Sequence, residues 1–361
     1  MPTVNQIRSA KRKLKPTIQA ATKIQSAWRS KKVRNTENNL RKLLNGNRAC
    51  DPKKHLQTVR PLSKGAYGAV FKASLNRNGK RYIAYKKISM KNGYDGMARY
   101  EYNVAKRLKS YGIKVPNVYL AKKCDGREML YMEYISGKTF GDWIRDMPTL
   151  EQVKSVILQV VLFLYKMHRL VPGFRHHDLH DGNIFIRKVP VRDIRVSVDG
   201  GKTYKRSNEG LEPVILDFGM TKIPGLPNPW INNGTYAEYG MNGKRTHPLF
   251  DLYFFLIGVV FDTTTKYKKV QDFIMDLIPD REYRKQNSKY AVNYRLKIGM
   301  KHNKYLPSFK NVLEHPFLSK KVEPFRPRFR ITPSTPRHPL QSPKPTNKKS
   351  PLKSMRRMGF R

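Results

Sequence analysis

The stretch "FRHHDLHDGNIFI" (residues 174–186) crowds three histidines, two aspartates and an asparagine into a short segment that ends in an apolar run. Two readings compete for it. It is either a polar turn, or a loop in which Asp178 accepts or orients the proton of a substrate hydroxyl. A metal site on His176, His177 and His180 is the weaker idea, because no second ligand cluster and no helical HExxH spacing accompany them. The company the loop keeps along the chain decides between the two.

Upstream, "LSKGAYGAVFKA" (residues 62–73) places Gly65 and Gly68 in a turn between two alternating apolar segments. Glycines let a backbone approach a phosphate closely and present its N–H groups. "YIAYKKI" then sets Lys86 in a strand, and the helical spacing of "DGMARYEYNVAKRLKSYG" carries Glu101, a carboxylate suited to hold that lysine. Downstream come "LDFG", with Asp217, and the apolar segment "LFDLYFFLIGVVF", Leu249 to Phe261. The latter is 13 residues long and contains Asp251. It falls short of the roughly 20 residues that span a bilayer, so it reads as a buried helix. A buried, unpartnered Asp251 would be costly, and a backbone N–H partner is expected.

Strand signals therefore precede helical ones. "TLEQVKSVILQVVLFLYKMHRL" opens with a capping-box pattern from Thr149 to Gln152 and continues with a broad apolar face. The residues between Asp178 and Asp217 include "VRDIRVSVDGGKTYKRSNEG", which reads as a hairpin with an Asp-Gly turn. An α+β molecule of two lobes is the natural architecture.

The chain has 361 residues and a formal net charge of +47. Residues 1–45 hold 12 Lys/Arg against one Glu and residues 319–361 hold 13 against one, which leaves 48 basic and 24 acidic residues in between. The centre is thus cationic in its own right, and acidic partners such as nucleic acid or other polyanions are expected, above all at the basic tails. The proline-dense tail reads as disordered. In the arm, residues 17–44 read as a basic amphipathic helix in which Ile24, Gln25, Arg29 and Arg34 match the spacing of an IQ motif, with Ser30 in place of its usual Gly. That pattern suits a calmodulin-like partner. The N-terminus lacks the apolar stretch of a secretory signal. The two cysteines, Cys50 and Cys124, are too few for a disulfide framework and read as thiols in a reducing compartment, cytoplasm or nucleus.

Taken in order, "SKGAYGAV", "IAYK", "HHDLHDGN" and "LDFG" resemble the four signatures of the protein kinase superfamily, across roughly residues 55 to 262. The resemblance implies a two-lobed fold with an antiparallel-sheet lobe (55–134), a shortened helical lobe (135–318), a basic arm (1–54) and a disordered tail (319–361). It implies ATP and Mg2+ as cofactors and a protein substrate. Lys86 would hold phosphate oxygens with Glu101 as partner, Asn183 and Asp217 would bind the metal, and Asp178 would act on the substrate hydroxyl. Leu62, Ser63, Gly65, Gly68, Val70, Ala84, Met132, Glu133 and Ile135 would line the nucleotide site, while His176 and Asp251 would brace the loop.

The departures also carry meaning. Ser63 replaces a loop glycine, and His177 replaces the arginine that usually answers a phosphorylated activation segment, so activity without that phosphorylation is expected. His180 stands where protein-serine kinases carry lysine; the form "HxDLHxxN" is shared with small-molecule phosphotransferases similar to aminoglycoside and choline kinases. The compact, basic character resembles kinases of large DNA viruses, with virion packaging as the corresponding expectation. A serine/threonine protein kinase is the leading reading. The alternatives are a small-molecule phosphotransferase and a kinase-shaped nucleic-acid-binding protein.

Overall fold

The computed structural model describes residues 31, 33–65, 68–76, 81–90, 95–199, 201, 203–232, 247–263, 265–278 and 306–319. Met1–Val322 fall in one compact unit; a second, Glu323–Arg361, lies outside the described residues, as do Ile24, Gln25 and Arg29 of the IQ-like stretch. Helix α1 (residues 33–43) and the short α2 (Pro52–His55) lead into β1 (Gln57–Gly65), β2 (Gly68–Ser74) and β3 (Tyr82–Ser89). Helix α3 (Met97–Ser110) and strands β4 (Val118–Cys124) and β5 (Arg127–Glu133) follow. The strands form one antiparallel sheet in the order β1-β2-β3-β5-β4.

The period of two along these strands sorts their side chains onto two covered faces. Ile88 on β3 and Leu130 on β5 face the main core with α3, and Lys86 shares their side of the sheet. Ile83, Tyr85, Met129 and Tyr131 face the other way, into a second core closed by Leu40, Leu44, Ala49 and Leu56. The residues before β1 therefore form a strap across the back of the sheet. Tyr131 Oη donates to the Ala49 carbonyl at 2.6 Å and Arg127 to the Cys50 carbonyl at 2.8 Å. Cys50 is joined to Cys124 of β4 in a disulfide. This corrects the expectation of two free thiols: folding the strap onto the sheet brings together cysteines 74 positions apart, a proximity that no local spacing signals.

The lower lobe begins with β6 (Lys138–Thr139), α4 (Phe140–Arg145) and α5 (Leu150–Leu170). The expected capping box is present, with Thr149 and Gln152 exchanging side-chain and backbone hydrogen bonds. Strands β7 (Ile184–Lys188), β8 (Asp193–Ser197), β9 (Thr203–Ser207) and β10 (Leu211–Ile215) follow; β10, β7 and β6 form one sheet, and β8 pairs with β9 as the expected hairpin. Helices α6 (Pro229–Asn232), α7 (Phe250–Asp262), α8 (Lys268–Leu277), α9 (Phe309–Glu314) and α10 (Pro316–Ser319) complete the lobe. The hairpin is part of the core. Val196 is buried, Tyr204 Oη donates to the Leu313 carbonyl, Arg206 pairs with Glu151 at 2.6 Å, and Ser155 Oγ donates to the Ser207 carbonyl at 2.9 Å. Among the described residues, no helix is long and apolar enough to cross a membrane.

The strap is predicted to be a stability element. Leu40→Ala should cost about 3 kcal/mol, and Cys50→Ser about 4 kcal/mol from the loop that the disulfide closes, both read as lowered urea midpoints. Unchanged midpoints would contradict the packing described.

Candidate active site

A carboxylate on the most apolar helix organises the loop quoted at the outset. Asp251, in the first turn of α7, is buried, and its two oxygens accept the backbone N–H groups of His176 and His177 at 2.7 and 2.8 Å. The expected backbone partner is thus doubled. Such charge-assisted bonds are worth about 1.5–3 kcal/mol each. They offset the strain at His177, whose φ of 67° is in the left-handed region that β-carbons disfavour. The His176 ring accepts the Asp178 N–H on Nδ1 at 3.3 Å, so its Nε2–H donates to the Leu216 carbonyl at 2.9 Å. That bond ties the loop to the segment carrying Asp217, itself at φ 57°. Leu216 N–H returns the tie by donating to the Asn183 carbonyl at 2.9 Å.

Asn183 commits its amide nitrogen to the Asp178 carbonyl at 2.8 Å and lies 3.4 Å from Asp178 Oδ2. Lys86 reaches the same region from the sheet: Nζ is 2.8 and 2.9 Å from the two oxygens of Asp217 and 3.3 Å from Glu101 Oε2. Burial works to lower the pKa of Lys86, but the Asp217 and Glu101 charges outweigh it and hold the ammonium above its ordinary value. One ammonium cannot satisfy buried Glu101 and half-buried Asp217 equally. Burial alone would raise Asp217, yet its closer contact with Lys86 keeps it below the ordinary carboxylate range. Glu101 is pushed up to about 7 by burial, with Lys86 opposing and Asp217 adding to the rise.

The remaining sequence-selected residues fall as follows. Gly65 pairs with Gly68 at the open end of β1 and β2, and a β-carbon at Gly68 would lie 1.9 Å from the Lys87 carbonyl oxygen. Ser63 pairs with Val70, which pairs in turn with Lys86; Leu62 is exposed on β1. Ala84 is opposite Met132 across β3 and β5, Glu133 ends β5, and Ile135 is buried just beyond it. The Glu133 carboxylate accepts the Asn117 N–H at 3.0 Å. His180 accepts the Gly182 N–H on Nδ1 at 3.1 Å, with Nε2 3.8 Å from Asp178 Oδ2.

Several contributors escaped the sequence reading. Glu128 on β5 accepts the N–H groups of Gly96 and Ala98 at 3.0 and 2.8 Å, capping α3 and so positioning Glu101 from another strand. Buried Asn228 donates to the carbonyls of Gly219 and Thr221, both at 3.0 Å, and fixes the turn after Asp217. Buried Arg175 donates to the His247 carbonyl at 2.8 Å. Glu128 and Arg175 act across 30 or more positions and Asn228 across seven to nine, and no local motif marks any of them.

The donor set suits magnesium held between protein and phosphates: one carboxylate, Asp217, and one amide oxygen, Asn183, are hard ligands. No cluster of three or more His, Cys, Asp or Glu able to cage an ion occurs among the described residues.

Residues 56–225 match the family model described as the protein kinase domain. The match covers 170 of the 361 residues and makes this segment similar to protein kinase domains. The kinase-like chain is similar to a protein of Acanthamoeba polyphaga mimivirus named as a putative serine/threonine-protein kinase, 24% identical over 208 residues that cover 53% of this chain and 44% of that protein. A protein of Frog virus 3 named as a putative phosphotransferase is 26% identical over 132 residues, 35% of this chain and 26% of its own length. Myosin-IIIa of Homo sapiens is 26% identical over 175 residues, 47% of this chain and 10% of that protein. The aligned stretches thus span less than half the length of each relative.

His177 gives this site a measurable signature. Its ring is fully buried, donates from Nδ1 to the Met220 carbonyl at 3.0 Å and meets Phe250 edge-on. Burial first, aided by Arg175 and His176, lowers its pKa from 6.5 to about 4 against the opposing Asp251 charge and Met220 bond. Between those values the unfolded chain binds the extra proton and the folded one does not. The contribution of His177, about 3 kcal/mol, is therefore present above pH 6.5 and is lost as pH falls toward 4. Urea midpoints should drop less steeply over that window in His177→Gln than in the wild type. His177→Arg, which buries a second cation beside Arg175, should cost at least about 3 kcal/mol.

Proposed function

We propose that the chain is an ATP- and magnesium-dependent protein kinase that transfers the γ-phosphate to serine or threonine hydroxyls of protein substrates. The observation that carries this reading is the convergence on one cleft of Lys86, Glu101 and Asp217, tied through Leu216 to the loop that holds Asp178 and Asn183. Phosphoryl transfer asks for position and charge stabilisation rather than covalent help. Lys86, fixed from both sides, supplies a positive charge for phosphate oxygens. Asp178, whose backbone is held by His176 and Asn183, accepts or orients the hydroxyl proton. Asp217 and Asn183 would hold the magnesium, which neutralises phosphate charge when bound. Ala84, Val70, Met132 and Ile135 supply apolar surface for a base, and Gly65 and Gly68 a close backbone approach to phosphates.

A small-molecule phosphotransferase is the second reading, favoured by His180 beside Asp178. The basic tails would add affinity for polyanions, nucleic acid included. Within residues 17–44, Leu40 and Leu44 are buried against the sheet, so a calmodulin-like protein would take the residues that precede them.

The test is transfer of labelled γ-phosphate by purified protein onto basic proteins, acidic proteins and amino-alcohol small molecules. Label should appear on proteins and fall about 100- to 10,000-fold in Asp178→Asn and at least about 100-fold in Lys86→Met. Label on small molecules alone would overturn the protein-kinase reading. Because His177 is neutral and buried where a phosphate-answering arginine would stand, phosphatase treatment should leave the rate within about twofold. Complete dependence on an added phosphate would contradict that expectation.

A further inference from the structure

On the lower lobe, the turn between α4 and α5 faces the start of α8 across a groove of about 730 Å³. One wall is Met147, Pro148, Thr149 and Leu150; the other runs from Lys266 to Lys269 and on to Asp272. Its walls are stapled together. Tyr267 Oη donates to the Pro148 carbonyl at 2.8 Å and Lys266 Nζ to the Met147 carbonyl at 3.3 Å. A preformed groove loses less entropy on binding than one that must assemble.

Two properties define what fits there. Lys266, Lys268 and Lys269 are all exposed, and among the described residues only Lys268 has a carboxylate partner, Asp272 at 2.8 Å. Between the walls lies apolar surface: Met147 is 48% exposed, held at a φ of 59°, with Leu150 half-buried beside it. Three cations around an apolar slot complement an extended segment that alternates acidic and apolar side chains. Nucleic acid would use the lysines but leave the methionine and leucine unmatched.

The groove's two walls lead back along the chain toward the catalytic loop. The same two segments that wall it, followed back to Arg145 and Asp262, border His180 and Asp181. Burial and then the Asp181 charge push the Asp262 carboxyl up to about 7, with His180 and Arg145 acting against the rise.

We propose that this groove docks an acidic, apolar-containing segment of the protein substrate, with Lys266, Lys268 and Lys269 pairing its carboxylates and Met147 and Leu150 receiving an apolar side chain. The proposal rests on the kinase reading for the identity of the partner. Its binding test does not require catalysis.

The probe is a fluorescein-labelled peptide of alternating Glu and Leu, followed by fluorescence polarisation on the full chain. Binding should weaken with salt and fall at least about tenfold in Lys266→Glu/Lys268→Glu/Lys269→Glu. Reversing the exposed Lys42, Lys53 and Lys166 should change it less than about twofold, which separates the groove from the general positive field. Met147→Ala should weaken binding a few-fold through lost apolar contact, and Asp272→Asn, which frees Lys268, should strengthen it. Equal losses in the two triple variants, no peptide binding at all, or loss confined to a single-stranded oligonucleotide would each overturn the proposal. With dephosphorylated casein as acidic acceptor, the groove variant should raise KM and leave kcat unchanged. Intact peptide binding through the three lysines alongside no phosphoryl transfer to any protein would sink the kinase reading and leave the groove standing.

Discussion

Around the Lys86 ammonium three chain segments meet: strand β3, which carries it, helix α3 with Glu101, and the turn after β10 with Asp217. Taking Lys86 and Glu101 out of water, with Asp217 half-buried beside them, is expensive, and hydrophobic replacements of such groups are often more stable. The arrangement is therefore weak as a source of stability and strong as a constraint. It leaves one carboxylate short of positive charge, and Glu101 responds with a raised pKa. A cleft that concentrates charge in this way is suited to bind a charged ligand and cations between its lobes.

The surrounding structure holds that cluster in register. Period-two alternation places Lys86 on the cleft side of a sheet whose other side is sealed by the strap of residues 33–56. Glu128 secures the helix bearing Glu101. On the other side of the cleft, Asp251 clamps two consecutive backbone N–H groups, and His176 and Asn183 pass that order to Asp217 and Asp178. The hairpin β8–β9 packs on α5 and α9, so the long interval between Asp178 and Asp217 reinforces the lower core.

Much of this was legible in the sequence because its signals are local or strongly periodic. The glycine pair, the lysine in an alternating strand, the capping box at Thr149 and the carboxylate in an apolar helix each have a mechanism that acts within a few residues. The order of the short motifs then implied the cleft. What escaped acts at a distance. Pairing of Cys50 with Cys124 depends on the strap crossing the sheet, Glu128 caps a helix that precedes it by some 30 positions, and Asn228 supports a turn from the following segment. The lysines of the docking groove look like ordinary surface charge until the fold sets them opposite Met147 and Leu150.

In the proposed function, Lys86, Asp217, Asn183 and Asp178 address one triphosphate between the lobes. A crystal structure with a non-hydrolysable ATP analogue and magnesium tests it most directly. The phosphates are expected beneath the turn of Gly65 and Gly68, with the ammonium of Lys86 on their oxygens and the metal against Asp217 and Asn183. An analogue bound elsewhere, or a cleft that stays closed around the lysine at saturating nucleotide, would contradict it.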